Sequence, residues 1–282
     1  MQPGNGAKGG VTRGVHLDFV IDEDNQIWIY HIGPATSPLT DEPTDLPQNL
    51  DQALPLVQIR LAGEGSILGT SQRLVYSALS HRLVYTSHEE RLQSQGLHAL
   101  EIKMRDPLSG IEVLSQFSIY TGISVIRCTA TAQNKGTAGV YLQTLSSLSI
   151  GGLNGNHSKW WKDYRIVIPY SNLFREAQWH RFTPPELGMY DCGASDFSRP
   201  GTRAAVIKSN QGTFSTEGHL PMGALERADG NECWMWQIEH SGAWRWELGN
   251  ILESLYIVAG GPTDHEQWTK HLAPVNPSPV FL

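Results

Sequence analysis

The sequence predicts an all-β fold in which two large antiparallel sheets pack face to face. Three observations carry this prediction. Apolar and polar residues alternate along most of the chain, which is the period of a half-buried strand. The linkers between these runs are short and rich in glycine, asparagine and aspartate, as tight turns require. The 282 residues include 28 glycines and 16 prolines, a composition that suits many turns better than long helices.

The amino-terminal part of the chain predicts a hairpin followed by a long loop. Residues 15–31 form two alternating runs, and the four polar residues 22–25 between them suit a turn. Residues 33–55 are rich in proline and aspartate, with four prolines before Pro55. Because proline lacks a backbone donor, this segment cannot form regular structure.

The remainder of the chain predicts further strands. Residues 97–150 contain four strand-like runs, and the turns between them indicate an antiparallel meander. Six more alternating runs lie near residues 163–169, 202–209, 222–226, 231–239, 242–248 and 254–259. Residues 263–272 favour a short helical turn, with Thr263 as its cap and Glu266 three residues later. We therefore expect one all-β unit over residues 1–282.

Composition limits the classes of partner and the location. The 21 basic and 28 acidic residues give a net charge of −7, whereas a nucleic-acid-binding protein needs a basic face. No apolar run approaches the length of a membrane span, and the amino terminus lacks the apolar region of a signal peptide. We expect a cytoplasmic protein that binds neither nucleic acid nor membrane.

The sequence carries no motif for a metal or a cofactor. The histidines and the three cysteines lack ligand spacing, and no glycine-rich phosphate loop follows a strand. Two carboxylate pairs, Asp191 with Asp196 and Glu239 with Glu247, have the residue types of a glycosidase acid and nucleophile. Loop aspartates usually cap turns, however, and strand glutamates usually face water. We expect no cofactor, no metal and no catalytic residue in this chain.

Clustered tryptophans are the strongest candidates for a binding surface. Trp160 and Trp161 are adjacent in a polar loop after Gly155, and neighbouring residues of an extended chain point to opposite sides. We expect at least one ring to be exposed, where it could stack on a sugar or contact a subunit; packing of both rings is the alternative. Four further tryptophans flank a predicted hairpin turn at residues 240–242 and indicate core packing: Trp234, Trp236, Trp244 and Trp246.

Four motifs together carry a resemblance to a known family. Residues 97–113 read LHALEIKMRDPLSGIEV, and residues 242–244, 260–262 and 271–274 read GAW, GGP and HLAP. With the surrounding stretch 96–152, these motifs resemble the amino-terminal domain of glycoside hydrolase family 36, the α-galactosidases and their relatives. The resemblance extends over most of the chain, from about residue 25 to the end.

The resemblance implies a fold, a role and partners. The family's amino-terminal domain is a β-supersandwich similar to the galactose mutarotases, and its catalytic aspartates lie on a (β/α)8 barrel that follows it. The chain ends at Leu282, where the barrel would begin, so we expect an isolated domain that is inactive alone although the parent polypeptide is a glycosidase. Lys159–Asp163 is similar to the family's Lys-Trp-Asp nucleophile motif, but an inserted Trp-Lys excludes the match. The implied partners are an α-galactoside, the barrel and further copies of the chain.

The resemblance also implies one substrate-binding residue. In tetrameric relatives, a loop of this domain reaches a neighbouring active site with an aspartate followed closely by an arginine. Asp51 corresponds to the aspartate, because residues 56–59 follow it as the family's next strand would. The intervening residues 52–54 supply no arginine. The substrate-binding candidates are therefore Asp51, Trp160 and Trp161.

Three functions from different classes remain open. The first is a non-catalytic domain that supports the barrel, the oligomer and the sugar site of an α-galactosidase. The second is a stand-alone carbohydrate-binding β-sandwich that uses Trp160 or Trp161. The third is a mutarotase-like sugar epimerase, whose chemistry needs a histidine acid and a glutamate base. His219, two residues after Glu217, is the histidine available for that role.

Overall fold

Nearly all regular structure in the protein is antiparallel strand, which confirms the all-β prediction. The structure is a computed structural model, and it describes residues 14–34, 53–67, 71–92, 96–155, 159–189, 203–251 and 253–275. Within these ranges, α1 (Trp160–Asp163) is the one α-helix. Hydrogen bonding divides the predicted sandwich into four sheets rather than two.

Sheets I and II are built from the first half of the chain. Sheet I contains β1 (Val15–Ile21), β2 (Ile27–Pro34) and β3 (Leu54–Pro55). Sheet II is a meander of β5 (Val84–Leu92), β6 (Leu97–Arg105), β7 (Ile111–Tyr120) and β8 (Ile126–Asn134). The β1–β2 hairpin confirms the prediction for residues 15–31.

Sheets III and IV contain the remaining strands. Sheet III has the strand order β12 (Ala205–Asn210), β16 (Trp244–Ile251), β17 (Ser254–Gly260), β9 (Val140–Ile150) and β18 (Lys270–Leu272), and β4 (Ile59–Leu61) also pairs with β9. Sheet IV has the strand order β11 (Arg175–Phe182), β10 (Tyr164–Asn172), β14 (Met222–Arg227) and β15 (Cys233–Gln237), and β13 (Gly218–His219) pairs with β10.

The predicted four-stranded meander is correct for β6, β7 and β8 but wrong for β9. β9 leaves sheet II and pairs with β17, where Ile150 lies opposite Ile257. Every residue of β17 is buried, so this strand needs a hydrogen-bonded neighbour at both edges. β16 supplies one edge and β9 the other. Long-range pairing of this kind is invisible to local alternation.

The strands β5 and β11 were not predicted, because they lack the alternation of a half-buried strand. Both are edge strands whose residues are mostly exposed and include many charges. The turn predicted near residues 263–272 is confirmed as a short 3-10 turn. Thr263 caps it, and Glu266 bonds back to the Thr263 amide at 3.0 Å. The chain then enters β18 instead of continuing as a helix.

The second tryptophan cluster packs in the core as predicted, but not in a hairpin. β15 belongs to sheet IV and β16 to sheet III, so the connection between them crosses from one sheet to the other. The Trp236 and Trp246 rings meet edge to face, with centroids 5.3 Å apart and planes at 73°. The pairing is therefore between facing sheets, because the apolar faces of both sheets must be buried.

Sheet III is covered on both faces. On one face, side chains such as Trp244, Trp246 and Leu248 join a main core that contains residues of all four sheets. The opposite face carries Tyr256 and Val258, which pack with a second apolar cluster from residues 74–76. We call residues 71–77 the cover segment. Sheet III is thus the central layer of the molecule.

A buried network of ionisable side chains holds the cover segment against sheet III. Glu247 accepts hydrogen bonds from the Leu74 amide at 3.0 Å and from the Tyr256 hydroxyl at 2.7 Å. The Arg245 guanidinium lies 3.6 Å from Glu247 and 3.3 Å from Glu266. Burial raises the pKa of the Glu247 carboxyl, while the Tyr256 hydrogen bond and the Arg245 charge oppose that shift. We call this set the Glu247 network.

Gly249 makes room for the Tyr256 ring in this network. The two residues lie opposite each other on β16 and β17. A Cβ atom at position 249 would lie 2.5 Å from the Tyr256 hydroxyl oxygen. Any larger residue would therefore displace the ring that bonds Glu247.

We expect Glu247→Ala to destabilise the protein by about 3–5 kcal/mol, because it removes the acceptor of the buried Leu74 amide and Tyr256 hydroxyl and leaves Glu266 as the carboxylate beside Arg245. Urea unfolding followed by circular dichroism measures the change. Glu239→Ala is the matched control: Glu239 forms an exposed ion pair with Arg127, so its loss should cost about 0–1 kcal/mol. If the two substitutions lowered the free energy of unfolding equally, the Glu247 network would not be a major source of stability.

His81 makes the stability sensitive to acid. Its ring lies between Trp28 and Tyr76, with centroid distances of 6.1 and 6.2 Å. Burial lowers the pKa of His81 from its ordinary 6.5 to about 4. The unfolded chain therefore takes up a proton near pH 6.5, whereas the native protein does not until about pH 4. The contribution of His81 is full above pH 6.5 and is lost as the pH falls through this window.

We expect His81→Gln to reduce the loss of stability between pH 7.0 and pH 4.5, because glutamine does not titrate. Urea midpoints at the two pH values measure the loss. His240→Gln, at an exposed position, should retain the acid sensitivity of the parent protein. If His81→Gln and the parent lost equal stability, the assignment to His81 would be refuted.

Candidate functional site

Trp160 and Trp161 lie in helix α1 rather than in an extended loop. The Lys162 and Asp163 amides donate to the Lys159 carbonyl at 2.9 and 3.2 Å, which closes the helical turn. Neighbouring side chains on a helix differ by about 100° in direction, not 180°. Trp160 is fully buried, and the Trp161 ring meets it edge to face at 5.6 Å. The structure therefore removes Trp160 from the sugar-binding candidates, since its ring has no exposed surface, and leaves the half-buried Trp161.

The segment before α1 is held by side-chain hydrogen bonds that its composition did not indicate. The Asn154 side-chain amide donates to the Glu253 carbonyl at 2.9 Å, and its oxygen accepts from the Leu255 amide at 2.7 Å. Both partners belong to the turn and strand that follow β16. The segment before α1 is therefore anchored to the same part of the fold as β17, and Trp160 belongs to the main core.

A polar cleft of about 370 Å³ opens beside α1 on sheet IV, a volume within the range of small-molecule sites. Its lining includes Arg165, Arg181, Arg227, Glu226, Glu232 and Cys233. We call it the arginine cleft. Two hydrogen bonds connect it to α1: the Ala228 amide donates to the Asp163 carbonyl at 2.7 Å, and Arg165 donates to the Lys162 carbonyl at 2.9 Å.

Ion pairs orient the charged groups of the arginine cleft. Arg181 donates from Nε and Nη2 to the Glu226 carboxylate, at 2.8 and 3.2 Å. Arg227 contacts both Asp229 oxygens from Nε at 2.8 Å. Hydrogen bonding within each pair raises the pKa of both arginines and lowers that of Asp229. The cleft therefore keeps fixed charges at neutral pH.

A second set of bonds fixes the carboxylate on the inner side of the cleft. Glu232 accepts from the Trp234 indole at 2.6 Å and from the Tyr164 hydroxyl at 3.3 Å. Burial, with the Glu232 charge, raises the pKa of Tyr164, and burial also raises that of the Cys233 thiol. Both groups therefore remain protonated at neutral pH. The cleft presents oriented hydrogen-bond donors and acceptors, which suit a hydroxyl-rich ligand. Its protonated thiol and phenol are poor nucleophiles.

Among the described residues, the carboxylates that the sequence suggested do not form a catalytic pair. Asp51, Asp191 and Asp196 lie outside the residues that the structure describes. Glu247 is buried in its network, whereas Glu239 is exposed and lies 2.7 Å from Arg127. In the described ranges, no three His, Cys, Asp or Glu side chains are grouped to hold a metal ion. In the same ranges, no helix is long and apolar enough to cross a membrane.

His219 lies in β13, opposite Tyr170 of β10. Its Nε2 atom is buried and has no hydrogen-bond partner in the described structure. Burial lowers the pKa of His219, and the positive charge of Lys208 lowers it further. Among the described residues, no hydrogen bond joins His219 to the carboxylate base that mutarotase chemistry needs. The structure therefore gives no support to the epimerase alternative.

Sequence reasoning missed the arginine cleft. Its residues come from β10, β11, β14, the β14–β15 turn and the start of β15, which are brought together only by the strand pairing of sheet IV. One local signal was present: the turn at residues 226–232 reads ERADGNE, with four charges in seven residues. Charged turns are common on protein surfaces, so this signal alone does not indicate a site.

The fold is that of known α-galactosidase structures. No family model matches the sequence, and no curated protein matches it. Among solved structures, the family 36 α-galactosidases AgaA and AgaB from Geobacillus stearothermophilus superpose with TM-scores of 0.68 and 0.65, at 16% and 17% identity. The α-galactosidase from Lactobacillus brevis superposes with a TM-score of 0.64 at 15% identity.

These matches cover most of this chain but a minor part of each enzyme. AgaA and AgaB match over 94% of this chain and 38% of their own, and the Lactobacillus brevis enzyme over 93% and 37%. The chain thus spans less than two fifths of the length of these enzymes. The resemblance deduced from the sequence is confirmed at the level of fold.

We expect Trp160→Ala to lower the free energy of unfolding by about 3–5 kcal/mol, because it opens a large cavity in the main core. Trp161→Ala should cost less than half of that, since its ring is only half-buried. Thermal and urea unfolding of both variants measure the difference. A similar loss in both variants would show that Trp161 is a core residue and has no surface to offer a ligand.

Proposed function

We propose that this chain is a non-catalytic β domain of an α-galactosidase-like glycoside hydrolase. In this proposal residues 1–282 form one domain that supports the catalytic barrel, the assembly of subunits and the sugar site. The parent enzyme would act in cytoplasmic carbohydrate metabolism on terminal α-galactosides. The fold match carries the proposal, because it covers 94% of this chain and only 38% of AgaA.

The bonding of the buried carboxylates supports a non-catalytic role. Glu247 holds the cover segment, and Glu266 bonds the Thr263 amide and hydroxyl at 3.0 and 2.7 Å. Glycoside hydrolysis needs one carboxylic acid and one carboxylate that both reach the scissile bond. Neither of these residues is accessible to a sugar.

Two residues are proposed to contact the sugar in the full enzyme. Asp51 holds this role by the family resemblance, and Trp161 by its partly exposed ring on helix α1, which is bonded to the arginine cleft. Variants of AgaA have been solved with raffinose and with stachyose, so that enzyme binds α-galactosides. We transfer this substrate class to the parent enzyme as part of the proposal.

The arginine cleft favours a second candidate function, a carbohydrate-binding module. Paired guanidinium and carboxylate groups can donate to and accept from neighbouring hydroxyls of one sugar. Trp161, on the helix bonded to the cleft, could supply a stacking surface. In this alternative, the chain binds sugar without any barrel.

Incubation of the pure chain with a chromogenic α-galactoside tests the first function, and we expect no release above background. A full-length family 36 α-galactosidase under the same conditions is the positive control. Titration with raffinose, followed by tryptophan fluorescence, separates the two functions: the domain proposal predicts no saturation, and a binding module predicts saturation that Arg181→Met weakens. Turnover that is abolished by replacing one Asp or Glu would refute both functions.

A further inference from the structure

We propose a binding site for a tetrahedral oxyanion, such as a phosphate group, at the edge where β12 of sheet III contacts β13 of sheet IV. Lys208, His180 and His219 surround the ring of Tyr170 at this edge. We call these four residues the edge cluster. The inference does not depend on the proposed function, because it concerns different residues and a different ligand.

The strand pairing places the edge cluster where two sheets meet. On sheet IV, Tyr170 of β10 lies opposite His219 of β13, and the neighbouring β11 carries His180 opposite Ile168. Lys208 belongs to β12, the edge strand of sheet III, which contacts β13. Lys208 thus comes from sheet III, and the two histidines come from the strands on either side of β10 in sheet IV.

The distances are those of a compact cluster. The Lys208 ammonium nitrogen lies 5.6 Å from the centroid of the Tyr170 ring, a cation–π contact. The centroids of the His219 and His180 rings lie 4.8 and 5.4 Å from the same ring. One aromatic ring therefore contacts all three nitrogen-bearing groups.

Among the described residues, no carboxylate pairs with the positive charge of Lys208 in the edge cluster. Lys208 is half-buried, and in the described structure it forms no hydrogen bond or ion pair with a carboxylate. The Nε2 atom of His219 is buried and without a partner among the same residues. Burying an unpaired cation or polar nitrogen is unfavourable, and an anion bound between them would remove that cost.

The contrast with the arginine cleft identifies the ligand. In that cleft Arg181 and Arg227 each bond a carboxylate of the chain, and Arg165 donates to the Lys162 and Tyr164 carbonyls, so most of the positive charge there is already paired. The edge cluster offers cationic and N–H donors without an acidic partner, in a chain whose net charge is −7. A protonated lysine cannot ligate a metal ion, and a neutral sugar would leave its charge uncompensated. An oxyanion with several oxygens matches donors from several directions.

Titration of the full chain with inorganic phosphate at pH 6.5 tests the site, with imidazole NMR resonances as the readout. We expect saturable shifts confined to His180 and His219 among the 11 histidines. Lys208→Met, which keeps the length of the stem but removes the charge, should weaken phosphate binding about tenfold or more. Lys103→Met is the matched control, because Lys103 is also a half-buried strand lysine. This variant should bind phosphate with the affinity of the parent protein.

A second variant and two further ligands complete the test. His219→Gln should also weaken phosphate binding while the circular dichroism spectrum stays native. Galactose 1-phosphate that binds more tightly than phosphate would assign the site to a sugar phosphate, and equal affinity would assign it to the free ion; galactose should not compete. Absence of saturable binding at millimolar phosphate, or unchanged affinity in Lys208→Met, would overturn the proposal.

Discussion

The Glu247 carboxylate is the interaction on which the layering of this protein depends. Sheet III is buried on both faces, so its outer face must be closed by chain that lies far away in sequence. The Leu74 amide is separated from Glu247 by 173 positions, yet both carboxylate oxygens accept from it. Arg245 and Tyr256 provide the charge and the hydrogen bond that make a carboxylate tolerable in this interior.

This arrangement separates the buried layers of the molecule from the surfaces available for binding. Ionisable groups between the layers form hydrogen bonds within the fold, as Glu247 and Glu266 illustrate. The groups available to a ligand lie on sheet IV and at its edge. There the arginine cleft has balanced charges, whereas Lys208 and His219 at the edge lack an anionic partner among the described residues. Balanced and unbalanced sites call for different ligands, a hydroxyl-rich molecule and an oxyanion.

The likeness to α-galactosidases at about 16% identity shows how much of this architecture is independent of side-chain detail. Strand order and layer packing survive as long as buried positions remain apolar and of suitable volume. The chemistry of a site depends on individual side chains and does not follow from the fold. For this reason the α-galactoside role is a proposal, and the two sites depend on the side chains present in this chain.

Local sequence determined the class of the fold and most of its strands, because alternation and turn residues act over a few positions. The hairpin of β1 and β2, the capping of the turn at Thr263 and the core position of Trp246 were all predictable. Tertiary structure alone decided that β9 leaves its meander, that Trp160 is buried and that Arg181 meets Glu226. Each of these depends on contacts between distant segments, and the alternation of residues carries no information about which segment will lie opposite.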